Sequence, residues 1–450
     1  MIMSRRALLG SLASLAVMTR TPAVIAEDQF QIVRARRSVA PLLGDGSPET
    51  EIWSFGEKGA PLIIRARQGE ELKLRIINEF NFELWLHWFG VRGPADLMTF
   101  NVPAGSPNSF DCVFTPPDAG TFWLGPMADV SRFRDMGLYA MLVVEERELV
   151  AGLEDLALVL DDWKLSDEGV IAPNFGDVET MVGEGRLGNW FTVNGEYRPR
   201  IKLASGNYTR LRLLNAANVR TMGLLFKGGD PLLIARDGQP IKPRLPSAGP
   251  LLLAPGQRAD FLVTPGADIT LALDLFEDVS ELAYLTHEGA GTAPDIPENF
   301  ELPGNPLANQ PDIAAARVVS LVIEGGLKGG LKSALLQGRR LDLATLLENG
   351  MGWAFNGMAG PGGPPLVRAR KGETILFDID NRTAFDQPLH VHGHVWGLLS
   401  EDTAWSDTAV VPARSELKLT MVADNPGVWA IQSLIAERAD GGLLAGFTVE

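Results

Sequence analysis

The chain has 450 residues, of which 46% are hydrophobic and 21% charged, the composition of a soluble globular protein. This length exceeds what one ordinary hydrophobic core serves and predicts about three domains. The formal net charge of -16 argues against nucleic acid and anionic lipid as partners. The 48 glycines and 30 prolines favour short strands and turns over long helices, so we predict an all-β fold.

The N-terminus has the pattern of a cleavable export signal. Arg5 and Arg6 precede an apolar run at 7–18 that is too short to span a bilayer, and no later apolar segment predicts a membrane span. Paired arginines before such a run are typical of bacterial twin-arginine signals. We therefore predict that residues 1–26 are removed and that the mature protein is periplasmic. A disordered N-terminus is the alternative.

A turn followed by an alternating strand recurs three times. The copies close at Asn78, Asn215 and Asn381, and each has a glycine nine residues earlier. Repetition at such wide spacing indicates domains rather than a short-period solenoid. We predict a helical excursion at 333–350 and three consecutive β-sandwich domains. The predicted boundaries are 27–148, 149–290 and 316–450, with a linker at 291–315.

Several segments, in this order, resemble those of three-domain multicopper oxidases, the laccase-like family. They are LHWFG (86–90), GTFWLGPM (120–127), RLRLLNAANVR (210–220), LAPGQRADFLV (253–263), QPLHVHGH (387–394), WSDTAVV (405–411) and the closing GVWAIQSLIAERADGGLLAGFTV (427–449). The resemblance covers almost the whole mature chain. It implies three cupredoxin-like Greek-key domains, with metal sites in the third domain and between the first and third.

The resemblance implies a copper that accepts electrons from the substrate, held by one cysteine and two histidines. Gln387, Ser433 and Arg438 stand at those three positions, and Leu443 stands at the axial position. Cys112, the only cysteine, lies in a different motif region, and we interpret it as a small buried hydrophobic residue. Without a thiolate and imidazoles this copper cannot be bound and tuned, so we expect no laccase-type activity.

The resemblance also implies a three-copper cluster held by histidine pairs, and three of those histidines are present. His87 and His390 match the ligands of the cluster's single mononuclear copper, and His392 would lie beside them. His394 matches a residue that is not usually a ligand. Other residues stand at the remaining ligand positions that we compared: Phe89, Gly125, Met127, Gln432 and Leu434.

Two interpretations of the three histidines stay open. His87, His390 and His392 are candidate ligands for one copper ion, or less favourably one zinc ion, with positions left open for water. Alternatively they are hydrogen-bonded packing residues at a domain interface, and no cofactor is bound.

Two classes of function follow from the sequence. The first is a non-oxidase binding or scaffold protein, whose partner is a periplasmic protein or a small molecule. In its export signal and lost ligands the chain resembles copper-free, multicopper-oxidase-like periplasmic proteins of bacterial cell division. The second is a mononuclear metalloprotein for copper binding or oxidoreductase chemistry. Neither class assigns a catalytic residue.

Overall fold

The described part of the chain is built mainly from β-strands. The computed structural model describes residues 30–450 except 45, 58, 149, 151, 204–206, 247–248, 265, 267, 288–299, 308–309 and 399–404. Strands make up 50% of the structure and helices 7%, which confirms the all-β prediction. The predicted export signal at 1–26 lies outside the described residues, as does part of the predicted linker. No helix among the described residues is long and apolar enough to cross a membrane.

The first domain packs two sheets face to face. Its elements are β1 (Gln31–Ala40), β2 (Thr50–Ser54), β3 (Leu62–Arg67), β4 (Leu72–Asn78), β5 (Leu84–Phe89), α1 (Ala95–Met98), β6 (Thr99–Val102), β7 (Ser109–Phe114), β8 (Gly120–Pro126), α2 (Val130–Asp135) and β9 (Ala140–Glu145). The sheets have the strand orders β2-β1-β4-β7 and β3-β9-β8-β5-β6.

The second domain repeats this plan with one sheet of six strands and one of five. Its elements are β10 (Leu153–Trp163), α3 (Val178–Val182), β11 (Trp190–Val193), β12 (Arg200–Leu203), β13 (Tyr208–Asn215), β14 (Met222–Lys227), β15 (Leu232–Arg236), β16 (Gln239–Arg244), β17 (Leu251–Leu253), β18 (Arg258–Val263), β19 (Ile269–Asp274) and β20 (Val279–His287). The sheets have the orders β11-β10-β13-β18-β15-β16 and β12-β20-β19-β14-β17.

The third domain has the same two sheets and an added hairpin. After a 3-10 turn at Ile313–Ala315, its elements are β21 (Arg317–Gly325), β22 (Ser333–Leu336), β23 (Arg339–Asp342), α4 (Leu343–Glu348), β24 (Trp353–Phe355), β25 (Arg368–Ala369), β26 (Thr374–Asn381), β27 (Gln387–Val391), β28 (Trp396–Leu398), β29 (Trp405–Ser406), β30 (Thr408–Val411), β31 (Ser415–Val422), β32 (Gly427–Ser433), α5 (Ala436–Asp440) and β33 (Leu444–Val449). The orders are β24-β21-β26-β31-β28-β29 and β25-β33-β32-β27-β30.

The three domains share one mixed topology. In one sheet of each, the first strand pairs in parallel with the strand of the sequence repeat: β1 with β4, β10 with β13, and β21 with β26. In the other sheet, β3 pairs in parallel with β9, β12 with β20, and β25 with β33. Parallel neighbours require crossover connections rather than hairpins. The prediction of three consecutive β-sandwich domains is confirmed.

The asparagine that closes each repeat has the same structural role in the first and third domains. The Asn78 side-chain amide donates to the carbonyls of Phe82, Val102 and Pro103. The Asn381 amide donates to the carbonyls of Phe385, Val411 and Pro412. In the second domain, Asn215 donates to the carbonyls of Arg220 and Leu253. Each asparagine satisfies carbonyls that strand pairing leaves open, because these lie where a strand ends.

The prediction of a helix over 333–350 is wrong for its first half. That half forms the hairpin β22–β23, which turns at Gln337 and Gly338, both with positive φ. Two successive positive φ values match the right-handed twist of a tight hairpin, and glycine accepts such a value readily. The helical part is confined to α4, where the Asp342 side chain caps the first turn through the Thr345 amide at 2.9 Å.

The apolar core joins the first domain to the third. Trp88 and Trp396 belong to one contiguous buried cluster that extends through both domains, whereas the second domain has a core of its own. A smaller buried cluster, which includes Phe89 and Trp123, contains residues of all three domains. The junction of the first and third domains is therefore as dry as a domain interior, and any polar group there needs a partner.

We expect the closing asparagine of the third domain to be a main support of its fold. In Asn381→Ala, the buried carbonyl of Val411 and the part-buried carbonyl of Pro412 lose their donor, and the free energy of unfolding should fall by about 3 kcal/mol. Urea unfolding of the purified protein measures this. Asn349→Ala removes one exposed hydrogen bond in the same domain and should change it by less than about 0.5 kcal/mol. Equal losses in the two variants would contradict the prediction.

Candidate metal centre

Three histidines from two domains meet at the junction. His87 lies on β5 of the first domain, His390 lies on β27 of the third, and His392 follows directly after β27. All three are buried, and one ring nitrogen from each lies within 4.8 Å of the other two. The structure thus brings together the residues that the sequence put forward as candidate ligands.

The alternation of β27 explains how two of these rings reach the junction. Leu389 and Val391 belong to the apolar core, and His390 lies between them on the opposite face of the strand. The strand ends at Val391, and Gly393 with a φ of 65° begins a turn. The regular alternation therefore does not extend to His394.

His394 is a packing residue. Its Nδ1 donates to the His392 carbonyl at 3.0 Å, and its Nε2 accepts the Asn425 backbone N–H at 3.3 Å. Burial lowers the pKa of His394 to about 4, so the ring is neutral at physiological pH. With both nitrogens occupied it has no lone pair for a metal.

Unlike His394, the three converging histidines each have a ring nitrogen without a hydrogen-bond partner among the described residues. His87 Nδ1 lies 2.7 Å from the Thr99 hydroxyl, and His390 Nδ1 lies 3.2 Å from Asp407 Oδ1. The Nε2 atoms of His87, His390 and His392 are buried and have no hydrogen-bond partner among the described residues. An unpartnered buried nitrogen is costly, about 1–3 kcal/mol, and three in one place point to something that satisfies them together.

The junction keeps two of these imidazoles, those of His87 and His392, neutral. Burial lowers the pKa of His87 well below its ordinary value, and the neighbouring His390 lowers it further. Burial does the same to His392, assisted by His87 and His390. A neutral imidazole is the form that binds a metal ion, since a protonated ring has no free lone pair.

The ring orientations suit His87 and His390 as a pair of ligands for one ion, whereas His392 is turned differently. The rings of His87 and His390 meet at 72° with centroids 6.3 Å apart, so their in-plane lone pairs can face one ion. The rings of His87 and His392 stack at 3.8 Å and 25°, so their lone pairs lie in nearly parallel planes. His392 must turn about its side-chain bonds before it can serve as a third ligand.

Apolar groups fill the space around the three rings. Phe89 and Trp123 stack at 4.0 Å, and Phe89 also contacts the rings of His390 and His392. A Cβ added to Gly125 would lie 2.2 Å from the Trp123 ring, so the indole occupies the volume of any side chain at that position. Met127 and Leu434 belong to the same apolar cluster. The residues present fit one ion and do not fit a three-copper cluster.

The residues that the resemblance assigns to the electron-accepting copper include a buried cation of the protein itself, Arg438. Arg438 is buried and donates to the Gln387 side chain at 3.2 Å and to the Asp386 carbonyl at 2.7 Å. Its guanidinium lies 5.0 Å from the Trp353 ring and 4.8 Å from the Phe385 ring. Burial lowers its pKa to about 10, which leaves it charged at neutral pH. These residues do not fit a copper ion.

The remaining residues of that position and the single cysteine are structural. The Ser433 hydroxyl accepts the Ile435 N–H at 3.2 Å, and Leu443 is fully buried in the core of the third domain. Cys112 is buried on β7, and burial raises the pKa of its thiol to about 12. It stays a thiol within the apolar core, in agreement with its interpretation as a small hydrophobic residue.

Two residues of the site escaped the sequence analysis. Asp407 accepts hydrogen bonds from Thr408 and Arg258 and contacts His390. Burial alone would raise the pKa of Asp407, but Arg258 and His390 hold it well below its usual value. The segments around these residues gave a signal, because both belong to motifs that carry the family resemblance. Their pairing was not visible, since it depends on how the domains dock.

Comparisons with known proteins agree with the fold and with the resemblance seen in the sequence. Two family models described as multicopper oxidase match residues 40–149 and 338–450. Multicopper oxidase MmcO of Mycobacterium tuberculosis is 26% identical over 428 residues, covering 86% of this chain and 81% of that protein. Cell division protein FtsP of Xenorhabdus nematophila is 23% identical over 442 residues, covering 90% and 86%.

Solved structures support the same assignment. The crystal structure of a multicopper oxidase from Pseudomonas thermotolerans superposes with a TM-score of 0.79 and 28% identity, covering 93% of this chain and 98% of that one. The three sandwiches are therefore cupredoxin-like domains. Multicopper oxidase family models thus match the first and third domains, and the chain is similar to multicopper oxidases over most of its length.

Proposed function

We propose that this chain is a non-oxidase member of its family that acts in the periplasm as a binding or scaffold protein. The observation that carries the proposal is the buried contact between Arg438 and Gln387 at the position of the electron-accepting copper. A guanidinium is charged at all physiological pH values, and it repels a metal cation at the place where the family binds one.

The chemistry of electron transfer supports this reading. A serine hydroxyl at position 433 offers no thiolate, the soft ligand that binds and tunes such a copper. Without this copper, electrons from a substrate have no path to a deeper metal centre. Oxygen reduction coupled to substrate oxidation therefore has no route through this chain, and the three-domain body is left to serve binding.

The relatives include both a protein named as an oxidase and a protein that is not. MmcO is named a multicopper oxidase, whereas FtsP is named a cell division protein, and the chain covers more than four-fifths of both. Because Ser433 stands where the oxidases of this family have a cysteine, a non-oxidase role is the one we propose for this chain. The twin-arginine pattern of Arg5 and Arg6 supports export to the periplasm, where the partner would be a protein or a small molecule.

Rebuilding the lost ligands tests the first part of the proposal. After copper loading, the wild-type protein should lack the intense blue thiolate-to-copper absorption and should oxidise no phenolic substrate. The triple variant Gln387→His/Ser433→Cys/Arg438→His restores the cysteine and both histidines, so the blue absorption should appear.

Ser433→Cys alone is the matched control. It supplies the thiol but keeps the guanidinium, and it should stay colourless. A blue wild-type protein would overturn the proposal, because position 433 would then not be the cysteine position. A colourless triple variant that is folded and copper-loaded would contradict the assignment of these three positions.

A mononuclear metal protein is the second candidate function. The observation that favours it is the set of three buried Nε2 atoms without a partner among the described residues. His87 and His390 would hold the ion, with His392 as a third ligand after a ring rotation. Two nitrogens bound to one ion are at most about 4.2 Å apart, so a spacing within 4.8 Å needs little adjustment. Bound copper or zinc would supply a Lewis acid with positions open to water.

Metal analysis of the purified mature protein tests this candidate. We expect about one equivalent of copper to remain after loading and removal of unbound ion, because the three converging imidazoles form one site. His87→Ala and His390→Ala should each abolish retention. His287→Ala, at the end of β20 and outside the cluster, should retain the metal. Wild-type protein that retains none would exclude the site.

A further inference from the structure

Asp407 connects the candidate metal centre to all three domains. It lies directly before β30 in the third domain, and its Oδ1 is 3.2 Å from His390 Nδ1. Its carboxylate pairs with Arg258 at the start of β18 in the second domain, through both terminal nitrogens of the guanidinium. A Cβ added to Gly90 of the first domain would lie 2.5 Å from both partners, so the pair rests directly on the Gly90 backbone.

The hydrogen-bond directions around His390 fix its tautomer. The Thr408 hydroxyl donates its one proton to Asp407 Oδ1 at 2.7 Å, so its oxygen is an acceptor toward His390 Nδ1, 3.1 Å away. Ionised Asp407 is also only an acceptor. Two acceptors therefore face Nδ1, so the tautomer that fits these contacts carries its hydrogen on Nδ1. The Nε2 atom is left with its lone pair free and directed into the junction.

Arg258 is held as firmly as the carboxylate that it orients. Its Nε donates to the Thr121 carbonyl of the first domain at 3.0 Å, and Nη1 donates to the Gly256 carbonyl at 3.0 Å. Arg258 and Asp407 are both fully buried. The carboxylate therefore has one position available, because the guanidinium is anchored in two domains at once.

We propose that Asp407 is the positioning residue of the candidate metal centre, and that Arg258 of the second domain holds it in place. The proposal rests on the second candidate function. Asp407 presents the His390 lone pair to the ion, and its negative charge strengthens the ligand through the ring. Contacts of this kind, one shell behind a metal ligand, typically change metal affinity by about 10- to 100-fold. The second domain, which supplies no ligand candidate, would then set the affinity of a site between the other two.

The first test uses the metal-free protein. Nitrogen NMR of protein carrying nitrogen-15-labelled histidine has only five residues to resolve, and His390→Gln assigns the signal by its loss. We expect His390 to show a protonated Nδ1 and a bare Nε2. A bare Nδ1 would overturn the proposal, since the ring would then offer no lone pair to the junction.

The second test measures the dissociation constant for Cu(II) by competition with a chelator, together with the Cu(II) EPR spectrum. In Asp407→Asn the affinity should fall about 10- to 100-fold and the spectrum should change. The double variant Arg258→Met/Asp407→Leu removes both charges of the pair together, and Asp237, which lies 3.3 Å from Arg258, keeps its hydrogen bonds from Gln257 and Ser406. It should weaken binding to a similar extent.

Asp260→Asn is the matched control. Asp260 is equally buried and accepts from Arg210 and from the Thr121 hydroxyl, but it has no contact with a candidate ligand. Its substitution should leave the dissociation constant within about twofold, while thermal unfolding reports the structural effect of each variant.

The outcomes separate this role from the site itself. Wild-type protein that binds copper, with an affinity unchanged in Asp407→Asn and in the double variant, would overturn the positioning role and leave the metal site intact. Equal weakening in Asp260→Asn would also overturn it, since the effect would then be general. Wild-type protein that binds no copper would overturn both the second candidate function and this proposal.

Discussion

The buried ion pair between Arg258 and Asp407 is the contact on which the three-domain junction depends. Moving two charges out of water costs several kcal/mol per ion, and this is offset only when every donor and acceptor is used. Here Arg258 also donates to carbonyls of the first and second domains, and Asp407 also accepts from Thr408. A pair that needs all these partners fixes the relative position of the domains, because displacement of any one domain would expose an unpaired buried charge.

That constraint allows the positions that the resemblance assigns to copper to be filled in different ways without loss of the fold. At one position a charged group, Arg438, fills the space and is stabilised by aromatic rings and an amide oxygen. At the junction an apolar group, the Trp123 ring, fills the volume above Gly125. Both solutions satisfy the requirement that a protein interior be packed without voids. Neither solution extends to the Nε2 atoms of the three histidines.

Much of this architecture could be predicted from the sequence, because it depends on local pattern. The repeats ending at Asn78, Asn215 and Asn381 mark strands, and the alternation around His390 places its ring opposite Leu389 and Val391. The hairpin over β22 and β23 was missed because its apolar spacing also suits a helix. The Gln337-Gly338 turn, with two positive φ values, decided between the two.

The parts that could not be predicted depend on docking between domains. His394 continues the spacing of the two candidate ligands, yet the turn at Gly393 directs it to a carbonyl instead. Asp407 and Arg258 are far apart in sequence and meet only when the second and third domains pack together. The stacking of His87 on His392 likewise follows from the approach of two sheets, which a pattern within one strand does not determine.

The unpartnered nitrogens bear on the two interpretations of the histidines. A packing role requires buried rings whose nitrogens are satisfied, and His394 shows how this chain achieves that. Three rings with free Nε2 atoms in one place would cost several kcal/mol together if nothing bound them. Phenylalanine, glycine and leucine stand at neighbouring ligand positions of the same junction, so apolar residues can pack there without this cost. The geometry of the junction is therefore the support for the proposal that these three imidazoles share one cation.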